Sequence, residues 1–161
     1  MCPAQAKPTS APDANAGRAL IEAAGRLRAS LAAGVPAPLR GRHVAIAADH
    51  HDKPSARLFE RAAAALGARV SHIGAGALAV PAKRQDTAAR LLGSLYDAID
   101  FIPLSPERAE SLRQAAGVPV FADLGGEHSP LQALVTAHAS PADREAELLG
   151  LVQAVLVEAL R

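Results

Sequence analysis

Tryptophan is absent, and tyrosine, methionine and cysteine occur once each in 161 residues. Each scarcity excludes something. With aromatic residues at 2% of the chain, there is no platform on which single-stranded bases could stack. The lone Cys2 rules out a disulfide framework and a cysteine-based zinc site, and a reduced, cytoplasmic setting is expected. No apolar run flanks Cys2, so the first residues read as neither a secretion signal nor a lipid-attachment signal. No run of about 18 apolar residues occurs, which excludes a transmembrane helix and a membrane partner. Basic and acidic residues nearly balance, 17 against 16, so the basic excess of a nucleic-acid binder is missing too.

What is present is small and aliphatic: 39 Ala and 20 Leu, within a chain that is 50% hydrophobic. At this length one domain is expected, burying roughly 70% of the surface its unfolded form exposes. Residues 1–12 contain three of the chain's 12 prolines and read as a disordered tail.

Leu20, Ile21, Ala24, Leu27 and Leu31 recur at helical spacing, so a helix is expected over 13–33, ended by Gly34 and Pro36. Residues 42–48 read as a buried strand and 49–55 as a polar loop. An Ala-rich helix over 56–66, a strand over 69–73 and a small-residue loop over 74–82 follow. Helices are then expected over 85–96, 106–116, 130–139 and 142–160, and strands over 98–102 and 118–121. Alternating strands and helices imply right-handed crossovers and a parallel sheet covered on both faces. The expectation is one α/β domain with a four-stranded parallel sheet, residues 13–140, onto which a C-terminal helix, 141–161, packs back.

Several short segments, taken in order, resemble one family. They are Pro38-Leu39-Arg40-Gly41-Arg42 before the first strand, Phe59-Glu60 and Leu66-Gly67-Ala68 after it, and Asp86-Thr87-Ala88 further on. Asp97-Ala98-Ile99, Val118-Pro119-Val120 and Pro130-Leu131-Gln132-Ala133-Leu134 complete the series. Together they are similar to ornithine and aspartate carbamoyltransferases over about residues 18–139, the carbamoyl-phosphate half of such enzymes. The resemblance implies a phosphate-binding loop between the first strand and the next helix. The family's Ser-Thr-Arg-Thr-Arg positions fall here on Asp52-Lys53-Pro54-Ser55-Ala56. Both arginines are therefore replaced, Pro54 removes an N–H donor, and Asp52 puts negative charge where a dianion would sit. A further family arginine falls on Ile102, and the family's His-Pro on Ser129-Pro130, with His128 one residue away.

The candidate ligand loop is thus a degenerate one, Asp52, Lys53, Ser55 and Arg57, facing a second loop with His128, Ser129 and Gln132. No segment like that which holds the amino-acid substrate follows. The implied role is a shortened, catalytically inactive relative acting in binding, regulation or assembly. The alternative is carbamoyl transfer in amino-acid metabolism, with a partner supplying the second domain. The resemblance also implies a homotrimer built through residues 74–82 and 52–57, with a full-length carbamoyltransferase as a further partner. No cofactor is expected.

Asp49-His50-His51-Asp52 is the most unusual run, and it lies after a strand, where open α/β sheets bind ligands. With the loop near 128 adjoining, His50, His51, Asp52 and His128 could together hold a divalent metal. The plainer reading is a solvated loop in which Asp52 or Ser55 caps the next helix. The Asp-His-His triplet also resembles that of the Asp-His-His phosphoesterases, but the upstream Asp-X-Asp of that family is missing. Gly74-Ala75-Gly76 lacks the third glycine of a dinucleotide fingerprint, and no serine has nucleophile-elbow context.

Overall fold

The computed structural model describes residues 13–161; the expected tail and Cys2 lie outside the described residues. Helix α1 (Ala14–Ala32) leads to β1 (His43–Ala48), α2 (Pro54–Ala65) and β2 (Arg69–Ile73). A 3-10 turn (Ala75–Leu78) and α3 (Ala82–Leu95) precede β3 (Ala98–Ile102), α4 (Pro106–Ala116) and β4 (Val120–Ala122). Helices α5 (Pro130–His138) and α6 (Arg144–Ala159) close the chain.

The four strands form one parallel sheet in the order β2-β1-β3-β4. Its register is pinned at the start of β1. The His43 amide donates to Asp97 Oδ2 at 2.7 Å, and the Asp97 amide donates back to His43 O at 2.7 Å. Strand β1 sends Val44, Ile46 and Ala48 to one face and Ala45 and Ala47 to the other, the period-2 alternation of a pleated strand. The sheet therefore divides two apolar clusters. On one face Phe59, Leu66, Leu151, Val152 and Leu156 of α2 and α6 and their surroundings are sealed with Val44 and Ile46. On the other, Leu112, Ala109 and Ala89 of α4 and α3 close over Ile99 and Phe101. Between α3 and α4 the backbones touch: a Cβ at Gly93 would lie 2.0 Å from the Ala116 carbonyl oxygen.

Helix α6 packs on α1, α2 and α5. Arg28 and Arg61 reach Glu147 and Glu145 of α6, and Arg42 donates to the Leu160 carbonyl at 3.0 Å. Among the described residues no helix is long and apolar enough to cross a membrane.

Boundaries differ from the sequence reading for local reasons. Helix α2 starts at Pro54, because proline at the first helical position has no N–H to leave unpaired. Helix α3 begins at Ala82, right after Pro81, three residues before the start expected at 85. Strand β4 is shifted to 120–122, since Pro119 can offer its carbonyl to Ile99 N–H (3.0 Å) but cannot donate. The loop expected over 74–82 is partly a 3-10 turn. Leu78, within the segment expected to form the trimer contact, is buried in the α3–α4 cluster of its own chain, on the opposite face of the sheet from α6.

Candidate functional site

The helix after β1 covers one face of the sheet, and the helices flanking β3 cover the other. The chain thus leaves adjacent strands β1 and β3 in opposite directions, which opens a crevice at their carboxyl ends, the usual ligand position in such sheets. Residues 49–53 leave β1 there, and residues 123–129 come to meet them from β4.

The meeting point is Gly125. A Cβ at this position would lie 2.9 Å from Leu58 Cδ2 and 3.3 Å from Ser55 O, so the lack of a side chain lets the β4–α5 loop approach α2 this closely without displacing its neighbours. The two loops picked out from the sequence therefore adjoin. Lys53 is the N-cap residue of α2, and no side chain caps this helix. The expected capping by Asp52 or Ser55 is absent: Pro54 places the helix start one residue past Asp52, and Ser55 is already inside the first turn. Asp52 and Arg57 are exposed, while Lys53 and Ser55 are half-buried.

In the second loop, Ser129 is buried and occupied as the N-cap of α5, its Oγ accepting from Leu131 N–H at 3.3 Å. His128 is exposed and Gln132 half-buried. The four-residue metal set is not assembled: among the described residues, no group of three or more His, Cys, Asp or Glu side chains could hold a metal ion. His51 instead turns to the edge strand, where its Nδ1 lies 3.1 Å from His72 Nδ1. His50 is exposed.

Beneath the crevice lies a group that the sequence reading passed over. Asp100, mid-way along β3 and 0% exposed, faces the α2–α6 cluster between Ile46 and Phe121 in the ladder. Burial pushes its carboxyl up to about 8, and the nearby Asp123 adds to that rise. The Leu124 and Asp123 backbone amides act in the opposite direction. Asp123 itself has φ 53°, and its carboxylate folds over Gly126, where a Cβ would be 2.2 Å from Oδ2. Asp123 Oδ1 is buried and has no partner among the described residues. The legible signal was a lone charge inside the apolar run Ala98-Ile99-Asp100-Phe101-Ile102.

This architecture has counterparts among solved structures. Ornithine carbamoyltransferase from Pyrococcus furiosus superposes with a TM-score of 0.62 at 24% identity, over 80% of this chain and 42% of its own. The fold is that of a carbamoyltransferase domain. The anabolic ornithine carbamoyltransferase from Campylobacter jejuni gives a TM-score of 0.62 at 17% identity, over 80% of this chain. The catalytic subunit of M. jannaschii aspartate transcarbamoylase gives 0.58 at 20% identity, over 76%. The present chain spans 42% of the length of each of these carbamoyltransferases. No protein-family model matches the sequence.

Of the three positions where the resemblance expects arginine, Pro54 is exposed. Ala56 is 0% exposed and Ile102 is 1% exposed, and both belong to the same apolar cluster. At these two positions the chain has hydrocarbon packed into its core.

Proposed function

We propose that this carbamoyltransferase-type domain acts in binding, regulation or assembly, in the cytoplasm, and does not itself transfer a carbamoyl group. The observation that carries this reading is the burial of Ala56 and Ile102. Transfer from an acyl phosphate requires cationic groups aimed at the charge that develops. Each lost charge-assisted hydrogen bond removes about 1.5–3 kcal/mol of dianion binding. Lys53 and Arg57 are the cationic residues at the start of α2 in the sequence, and Asp49 and Asp52 precede them.

Calorimetric titration with carbamoyl phosphate and with phosphonoacetate tests the reading. The expected result is no saturation in the micromolar range, whereas micromolar binding of either overturns it. A second reading, carbamoyl transfer with a separate partner, draws support from Lys53 and Arg57 at the start of α2 and from the Gly125 contact. Citrulline or carbamoyl-aspartate formation by the purified protein, alone or mixed with a partner that supplies the second domain and is inactive by itself, would establish that reading in place of the first.

The proposal extends to assembly as a cyclic homotrimer through residues 74–82 and 52–57. Gly76, Ala77 and Ala79 are exposed along the first segment, and Asp52, Pro54 and Arg57 along the second. With Leu78 turned into its own chain, that interface rests on small residues. A scattering mass near three times 16.5 kDa is the expected result, and a monomer at tens of micromolar overturns the trimer.

A further inference from the structure

His51, His72 and Glu60 come from three different elements and meet at one corner of the sheet. His72 lies on the edge strand β2 beside Ile46, so it shares the face that α2 covers. Glu60 descends from α2 and places Oε1 3.2 Å from His72 Nε2. His51 arrives from the loop after β1, with its Nδ1 3.1 Å from His72 Nδ1. The rings stand nearly perpendicular, at 79°, with centroids 4.7 Å apart.

We propose that His51 and His72 bind one divalent transition-metal ion of the zinc type between their Nδ1 atoms, with Glu60 orienting His72. Bonds of about 2.0–2.1 Å place two imidazole nitrogens roughly 3.3 Å apart at a tetrahedral angle and about 2.9 Å apart at a right angle. The observed 3.1 Å falls between these limits. Glu60 has the place of a carboxylate behind a ligating histidine. By accepting from Nε2–H it fixes the tautomer whose lone pair is on Nδ1 and raises the basicity of that nitrogen.

The protein thus supplies two nitrogens, in keeping with the absence of a three-residue ligand set among the described residues. The side chains of His72 and Glu60 are 33% and 45% exposed, which leaves room for water to complete the coordination. Imidazole donors select zinc, copper and nickel over magnesium and calcium. The same separation also suits an Nδ1–H···Nδ1 hydrogen bond, so a shared proton is the competing occupant.

Calorimetric titration of tag-free protein with Zn²⁺ decides between them, with Mg²⁺ as control. The expected result is one saturable Zn²⁺ equivalent per chain. His51→Ala and His72→Ala should each reduce affinity at least tenfold. Glu60→Gln should reduce it by about 10- to 100-fold, and His50→Ala and His128→Ala should leave it unchanged. Circular dichroism establishes that each variant is folded. Should His72→Ala not fold, the His51→Ala loop variant decides alone. Absence of a saturable equivalent, retention of binding in His51→Ala, or loss that follows His50 or His128 overturns the proposal.

Discussion

Asp100 and Leu124 are joined by one amide shared between both carboxyl oxygens, at 3.1 and 3.3 Å. The bond ties the middle of β3 to the loop that carries Gly125 against α2. A buried acid thus holds the backbone at the candidate site without reaching its surface.

The raised Asp100 carboxyl makes stability depend on pH in a fixed direction. The folded state keeps its proton up to about pH 8, whereas the unfolded chain releases it near the ordinary carboxylate value of about 4. Between these limits the native state binds more protons, so this group's contribution falls as pH rises, on the order of 1 kcal/mol per unit, and levels off above the folded value. Asp100→Asn keeps an oxygen for Leu124 and has no proton to lose. Urea midpoints at pH 5, 6, 7 and 8 should fall for the native chain and stay flatter for the variant. Parallel slopes would refute the assignment.

Gly93→Ala should strongly destabilise the domain. The added Cβ would lie 2.0 Å from a backbone carbonyl, Ala116 O, which cannot rotate away as a side chain can. Overpacking of this kind costs about 1–3 kcal/mol, sometimes more. Chemical denaturation reads the loss directly, and unchanged stability would mean that α3 and α4 do not pack this closely.

Gly125→Ala carries a milder clash, 2.9 Å from the movable Leu58 Cδ2 but 3.3 Å from the backbone oxygen of Ser55. The expected outcome is a loss of about 1 kcal/mol together with faster amide exchange in residues 123–128. Unaltered exchange there would separate the two loops that the structure brings together.

Leu151→Ala removes one of the largest sealed side chains of α6. A loss of about 2–5 kcal/mol is expected, showing that the last helix is part of the core. A change under about 0.5 kcal/mol, the range typical of surface positions, would show α6 to be an appendage.

Much of this fold was legible because periodicity carries it. Leu20, Ile21, Ala24, Leu27 and Leu31 sit on the face of α1 that packs against the core. The alternation of strand and helix implied the parallel sheet. Local chemistry was harder to read. Asp52 and Ser55 looked like helix caps, yet Pro54 moved the helix start and left Lys53 at that position. His51 looked like a partner of His128, but β1 lies between β2 and β3 with β4 one strand further off, and His51 turns to His72 on β2. Asp100 was missed because periodicity treats an isolated charge in an apolar strand as noise, whereas the fold makes it a buried fastening.

The sheet that separates the two apolar clusters also separates their energetics. Leu151 belongs to one interior and Leu112 to the other, with the strands between them. Lacking shared partners, truncations at the two sites should combine to within about 0.3–0.5 kcal/mol of their sum. A molecule divided this way can drift in sequence on one side without compensation on the other. A substitution on the face under α3 and α4 therefore need not be answered by one on the face that carries α2, His72 and Asp100.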